Sequence, residues 1–371
     1  MKKNLVLVLN SGSSSVKYSL FENLKLVVKG IEENIGLKGG VKNHREAIKN
    51  IFAKLQGTGA VRDLSAIKII GHRVVHGGEE FKEPVLLNGE IIRRLKKYSK
   101  LAPLHNPPNI LGIEICRELL PQAKNVAVFD TEFYQFLAPE SFLYALPRVF
   151  YEKHKIRRYG FHGISHQYVA ETAEKILGRK IKRLITCHLG AGSSITAIKD
   201  GKPIDTSMGF TPLEGLVMES RSGSIDPAIP LYLIKELKFS PEEVDEILNK
   251  KSGFLGLCGL KDFREILKSK DKRAKLTYQI FLRSVVKSIG GYVALLGGLD
   301  AIVFTAGIGE GSARFRKDVM SHFKFLGGKI DEAKNKKHKP VISDRDSRVK
   351  IMVIPTNEEL RIAKAAAKFI R

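Results

Sequence analysis

Arg73 stands in the run Gly71-His72-Arg73-Val74-Val75-His76-Gly77-Gly78, just after an apolar stretch of strand type. There its planar guanidinium fork is placed to grip a carboxylate or a phosphate. Arg221 offers a second fork, after the glycine-rich polar segment Asp205 to Gly215. His105 lies in Leu101-Ala102-Pro103-Leu104-His105-Asn106-Pro107-Pro108, and prolines at this density bar helix and strand interiors alike, which puts His105 on a fixed loop. Tyr159-Gly160-Phe161-His162-Gly163-Ile164-Ser165-His166 pairs two histidines at a spacing that could suggest a metal. No HExxH glutamate or further ligand cluster accompanies them, so an anion-binding role suits His162 and a structural or helix-start role suits His166. Forks and imidazoles of this kind handle anions, although each taken alone also has an ordinary structural explanation.

The elements that must position these groups are two Gly/Ser-rich segments about 180 residues apart, Val8-Leu9-Asn10-Ser11-Gly12-Ser13-Ser14-Ser15-Val16-Lys17 and Cys187-His188-Leu189-Gly190-Ala191-Gly192-Ser193-Ser194-Ile195. Each follows an apolar run and leads into alternating residues, the pattern of a hairpin whose tip offers backbone N–H and hydroxyl donors. Such tips hold phosphate. Gly307-Ile308-Gly309-Glu310-Gly311 opens a helix after a strand, where a nucleotide-contacting turn is expected. The hairpins occupy matching places in two half-chains, and the strand 125–131 resembles the strand 300–307. A duplicated α/β unit is the economical reading, with the hairpins facing one another across a cleft between domains.

Periodicity predicts strands at 4–10, 15–21, 24–30, 66–72 and 125–130, with helices near 44–57, 89–100 and 108–120. It repeats the theme with a helix at 164–178, strands at 183–188, 193–199, 202–206, 300–305 and 349–354, and helices at 227–237, 240–250, 272–297 and 312–325. A last helix is capped by Thr356 or Asn357, with Glu358 and Glu359 in its favourable first turn. The length of 371 residues suggests two or three domains, and 43% hydrophobic residues fills sizeable cores. Cys116, Cys187 and Cys258 have neither metal spacing nor a disulfide pattern, which points to a reducing, cytoplasmic compartment. No uninterrupted apolar run is long enough for a membrane span, and no signal peptide is expected. The net charge of +24 raises nucleic acid as a partner. Its lysines are dispersed and no aromatic-interleaved basic box appears, so a solvated surface that steers anionic ligands is the preferred reading.

Taken together, the runs Asn10 to Lys17, Gly71 to Gly78, Leu101 to Pro107, Tyr159 to His166, Cys187 to Gly192, Asp205 to Gly215, Phe304 to Glu310 and Ile354 to Glu359 resemble the acetate kinase family, in the same order along the chain. The Asn-x-Gly-Ser-Ser-Ser-x-Lys start and the Gly-His-Arg-x-x-His-Gly-Gly segment are its most specific parts. The resemblance implies an α/β fold of duplicated actin/hexokinase/Hsp70-like (ribonuclease H-like) domains around an interdomain cleft. The first domain would be 1–133 plus 360–371 with the phosphate hairpin, and the second 134–359 with the nucleotide site and the dimer contacts. It further implies a cytoplasmic homodimer in which ATP, with Mg2+ or in its place Mn2+, reversibly phosphorylates acetate to acetyl phosphate by direct in-line transfer. Acetate is already ionised at neutral pH, so it needs cations that let it approach a polyanion rather than a strong base.

By the same resemblance, Arg73 and Arg221 flank the carboxylate and the transferring phosphoryl group, His162 is a transition-state donor, and Asp130 is a catalytic carboxylate. Asn10 and Glu358 would organise the metal and its waters. His105 and His188 match positions near substrate and phosphates; Ser13, Ser15 and Lys17 match the phosphate hairpin, and Gly190 and Gly192 its counterpart. Asp262, Phe263 and Arg264 match an adenosine-contacting segment, and Gly307, Ile308, Gly309 and Glu310 the adenine-side turn. Val75, Leu104, Phe161 and Pro212 would wall a small apolar pocket for the methyl group.

The chain departs from the family where Met-Gly-Thr-Arg-x-Gly-Asp is usual and Met218-Glu219-Ser220-Arg221-Ser222-Gly223-Ser224 is found. A carboxylate is absent at Ser224, another appears at Glu219, and Gly311 stands where asparagine is common. Glu219 taking over the orientation of Arg221 and Glu219 facing solvent both stay open at this point. So do a propionate or other short-chain acyl kinase, which would share nearly all these residues, and, more remotely, a non-catalytic nucleotide-driven binding protein on the same fold.

Overall fold

Leu5 to Leu9 is an unbroken apolar run buried on both faces, the requirement for a central strand. It forms β1 (Leu5–Ser11), which pairs antiparallel with β2 (Val16–Glu22), itself antiparallel to β3 (Lys25–Glu32). On its other side β1 runs parallel to β4 (Ile67–Val74); β5 (Val85–Leu86) is a short edge strand on β6 (Lys124–Phe129), which is parallel to β4. The sheet order is β3-β2-β1-β4-β6-β5. These coordinates are a computed structural model that describes residues 4–103 and 105–370.

The second sheet contains β7 (Arg183–Leu189), β8 (Ser193–Lys199), β9 (Lys202–Thr206), β10 (Ala301–Thr305) and β11 (Lys350–Val353), in the order β11-β10-β7-β8-β9. Again the first three strands are antiparallel and the last two add in parallel. Both expected hairpins are present, and the duplication is present too, with one correction to its register. The counterpart of β10 is β4, since each lies beside the first strand of its sheet; it is not β6, the strand suggested by the likeness of 125–131 to 300–307. All of these are buried parallel strands and read as the same apolar run, so only their neighbours tell them apart.

The chain divides into two compact units: Met1–Gln135 with Gly163–Ser165 and Asn357–Arg371, and Phe136–His162 with His166–Thr356. In the first unit, the C-terminal helix Glu358–Ala367 returns to pack on β1, β4 and β6. Gly71 on β4 makes this possible, because a Cβ there would come within 2.7 Å of Ile362 Cγ2. Asn357 caps that helix, its side chain accepting from Leu360 N at 2.9 Å. His105 immediately precedes the helix Asn106–Leu119, whose first turn contains Pro107 and Pro108. Those prolines therefore start a helix rather than exclude one, since the first turn has no use for their missing N–H.

In the second unit, helix Lys272–Leu296 is the one among the described residues long and apolar enough to cross a membrane by length and composition. Phe281, Val285, Ile289 and Leu296 on it recur at helical spacing and are buried in a core that includes Cys187 of β7 and Ile195 of β8. It is an amphipathic core helix.

Candidate active site

Parallel strands that end together bring their C-terminal residues together. Asn10 near the end of β1, Arg73 near the end of β4 and Asp130 just after β6 meet in this way, and the Asp130 amide donates to the Val74 carbonyl at 3.0 Å. Arg73 lies within its strand rather than after it. Its Nε and Nη2 donate to the two Asp130 carboxylate oxygens at 3.0 and 2.6 Å, a bidentate pair, while Nη1 reaches Asn10 Oδ1 at 3.5 Å. Glu358, in the first turn of the C-terminal helix, lies 3.8 Å from Arg73 Nε. Burial works against the Arg73 charge, yet Asp130, Glu358 and Glu359 hold its guanidinium above its ordinary value. Burial pushes the Glu358 carboxyl upward, with the Arg73 cation opposing. Lys17 sits opposite Asn10 in the β1–β2 register, so it joins this group.

Ser13 and Ser15 form the hairpin tip, where the Gly12 amide donates to the Ser15 carbonyl at 2.7 Å. His44, which the sequence reading passed over, pins this tip by donating from Nε2 to the Gly12 carbonyl at 2.7 Å. Asn106 and Asn109 were passed over too. They are buried on one helix, and their side-chain oxygens accept from the amides of His76 and Val75 at 3.0 and 3.1 Å, fixing the backbone beyond Arg73. The only sequence signal for them is a pair of asparagines at helical spacing. Val75 is buried; Leu104 lies outside the described residues.

Glu132 lies two residues beyond Asp130. Burial pushes its carboxyl up to about 7, against the Phe129 amide that donates to it at 3.1 Å and the nearby Arg361 cation. Its folded-state value exceeds the ordinary 4.5, so the folded chain holds the extra proton between the two, and this contribution to stability falls as pH rises through that window. Relative to Glu132→Gln, which keeps the acceptor, urea unfolding of the parent protein should lose up to about 1.4 kcal/mol per pH unit between roughly pH 5 and 7. Parallel pH profiles for the two proteins would contradict this assignment.

The second unit gathers a different set. His162 adopts a left-handed backbone (φ 57°) just before helix Gly163–Leu177, and its ring stacks on that of His188, at the end of β7, with centroids 4.2 Å apart. His162 Nδ1 is 2.9 Å from Ser194 Oγ; Ser194 in turn is 2.7 Å from Nε2 of His166, whose Nδ1 is 2.7 Å from Thr186 Oγ1. Burial and the neighbouring His188 hold the His166 imidazole well below its ordinary value, so it is neutral and structural. This chain of hydroxyls fixes the His162 ring plane. Gly192 leaves room beside it: a Cβ there would stand 3.2 Å from His162 Cε1 and 3.6 Å from Arg221 Nη1.

Arg221 Nη1 donates to the Pro212 carbonyl at 3.3 Å and lies 3.7 Å from the Met218 sulfur. Among the described residues no carboxylate pairs with it, and burial lowers its hold on its proton. Glu219 does not orient Arg221, and it does not simply face solvent. The Glu219 amide donates to the Ala191 carbonyl at 3.2 Å and the residue lines a neighbouring cavity, while Ser224 accepts from the Gly215 amide at 3.0 Å and closes its own loop. Phe161 is buried.

That cavity, of about 440 Å³, is lined by Gly190, Ala191, Asp262, Phe263, Arg264, Gly307 and Ile308, with Phe254, Leu267 and Glu219. Asp262 caps helix Phe263–Lys268 and holds the Arg264 guanidinium from both carboxylate oxygens; those bonds hold its carboxyl down to about 2. The Phe263 ring belongs to the core, packed among Phe254, Phe281 and Phe315. Glu310 turns its carboxylate back onto the amides of Ala306 and Thr356 at 2.7 and 3.1 Å, which fixes the turn that presents Gly307 and Ile308.

Two sheets of one strand order, each with a Gly/Ser hairpin and with anion-directed cations near it, define a duplicated fold of the actin and hexokinase type. Within that class the chain belongs to the acetokinase family, whose pattern it matches over residues 5–364. It is 48% identical to an acetate kinase of Clostridium novyi, over 98% of each chain. Its structure is similar to a propionate kinase from Francisella tularensis (TM-score 0.94, 42% identity, 98% of this chain and 99% of that one) and to the Porphyromonas gingivalis acetate kinase (TM-score 0.93, 38% identity, 99% and 100%).

Proposed function

We propose that this protein is an acetate kinase that transfers the γ-phosphoryl group of ATP directly and reversibly to acetate. The observation that carries the reading is Arg221, a largely enclosed guanidinium without an anionic partner among the described residues, beside His162 and the glycine of a phosphate-type hairpin. A cation in a site of low dielectric is costly unless an anion completes it. A carboxylate substrate and a transferring phosphoryl group are such anions. In this reading Arg73, oriented by Asp130, keeps one edge of its fork for the substrate, and His162 donates to the phosphoryl oxygens. The cavity beside Ala191 takes the nucleoside, between Ile308 and the Asp262–Arg264 segment, and Lys17, Ser13, Ser15 and His188 serve the phosphates. Glu310 acts by positioning the Gly307–Gly309 turn.

The hard oxygen donors of Asn10 and Glu358 fit a Mg2+ or Mn2+ ion that arrives with the nucleotide, since such ions use one or two side-chain oxygens plus substrate phosphates. Among the described residues no cluster of three or more His, Cys, Asp or Glu could cage a metal by itself. The ion would supply charge neutralisation on the phosphates.

Val75, Phe161 and Pro212 are read as walls of the methyl pocket, so the test is substrate size. With ADP formation coupled to a reporter and the acyl phosphate trapped by hydroxylamine, acetate should give the highest kcat/KM, ahead of propionate and butyrate. Val75→Ala should then shift the propionate-to-acetate ratio upward severalfold, in keeping with about 0.8 kcal/mol per buried methylene. A propionate preference in the parent protein would favour the second reading, which the likeness to a propionate kinase keeps in view.

A homodimer in the cytoplasm completes the proposal. Helix Ala228–Lys235 is almost wholly apolar yet buries none of its residues within the chain; Leu231 and Tyr232 are 55% and 58% exposed. Such a face calls for a second copy. Sedimentation should give a dimer for the parent protein and a monomer for Leu231→Asp/Tyr232→Asp; a parent monomer would contradict the assignment. Three free, buried cysteines are compatible with a reducing compartment.

A further inference from the structure

Glu219 lines the 440 Å³ cavity. Its backbone is fixed on both sides: its amide donates to Ala191 at 3.2 Å and its carbonyl accepts from Leu255 at 3.0 Å. Its side chain makes no hydrogen bond or ion pair among the described residues. The nearby Arg264 is already engaged by Asp262. An unpaired carboxylate in a ligand cavity is an acceptor only, so it calls for a donor on the ligand.

The cavity itself says which donor. Its hairpin end, at Gly190 and Ala191, is a Gly/Ser tip of the kind that holds phosphate, and its Ile308 and Leu267 walls are apolar and suited to a base. Glu219 is tied through its backbone amide to Ala191, at the hairpin end of the same cavity. A carboxylate would repel the polyphosphate, and a sugar is what joins phosphate to base.

We infer that Glu219 is a specificity-determining residue that accepts a hydrogen bond from a ribose hydroxyl of the nucleotide, making the enzyme selective for ribonucleotides over deoxyribonucleotides. The inference rests on reading the cavity as the nucleotide site. Glycine at this position would leave the hydroxyl to water.

The test compares kcat/KM for ATP, 2′-deoxy-ATP and 3′-deoxy-ATP at saturating acetate. The parent enzyme should disfavour at least one deoxynucleotide by about ten- to a hundredfold, the range for a hydrogen bond to a charged group. Glu219→Gly should erase that discrimination by lowering the ATP value alone, and Glu219→Gln, which keeps an uncharged oxygen in place, should retain part of it. Discrimination that is absent from the parent, or that survives in Glu219→Gly, overturns the inference; a partner on the base gives the second result. Ile308→Trp, filling the cavity from its opposite wall, separates the two levels. If calorimetry shows that this variant still binds ADP as the parent does, the cavity is not the nucleotide site and both readings fall. If ADP binding is lost while Glu219→Gly leaves the ratio unchanged, only the ribose contact fails.

Discussion

Arg73→Ala should lower kcat by a hundred- to a thousandfold, the typical effect of removing one preorganised donor worth about 2.7–4 kcal/mol, and should also destabilise the protein. The second effect follows from Asp130, which is only 2% exposed and which Arg73 holds by two hydrogen bonds. Removing the cation leaves a buried carboxylate uncompensated, at a cost of about 3–5 kcal/mol. The double variant Arg73→Ala/Asp130→Asn removes that orphan charge. Its melting temperature should recover much of the loss while its kcat stays low. If the double variant regained activity along with stability, Arg73 would be a structural residue and its assignment to the phosphoryl transfer would be wrong.

Arg221→Ala should separate the two effects in the opposite way. Among the described residues this arginine has no carboxylate partner, so its removal leaves no unpaired charge and relieves the desolvation of its own. Activity should again fall by about a hundred- to a thousandfold, while the melting temperature should hold or rise, as expected where a site keeps an unfavourable group for function. Near-normal turnover with a lowered melting temperature would reverse the assignment. The contrast between the two arginines is a consequence of their neighbours, since the side chains are the same.

Much of this was legible in the sequence, and the reasons are particular. The hairpins at Gly12 and Gly190 announced themselves because strand alternation on both sides of a Gly/Ser tip has few other outcomes. Arg73 was singled out from its place at the end of an apolar run, which is where parallel strands deliver side chains, whereas Asp130, Asn10 and Glu358 were named only through the family resemblance. The correspondence of β10 with β4 was not legible, because buried parallel strands differ only in their neighbours. The short helices Pro139–Phe142, Val149–His154 and Gly253–Cys258 were missed because one or two turns give no readable period. The pairing of Arg73 with Asp130 joins residues 57 apart, and the tether from His44 to Gly12 joins residues 32 apart. Nothing local predicts either. Glu219 was visible as an oddity, but its surroundings were not: its amide bonds to Ala191 and the residue lines the cavity, with no bond to Arg221.

The claim at the centre of this account is that a carboxylate oxygen attacks the γ-phosphorus of ATP. Phosphorus NMR of the reaction of ATP with acetate labelled by oxygen-18 in both carboxyl oxygens reads this directly. Direct transfer to acetate gives an acyl phosphate signal displaced by one heavy oxygen in the bridging position, formed together with ADP. ADP accompanied by unlabelled inorganic phosphate and no acyl phosphate would show water as the nucleophile, and would contradict it.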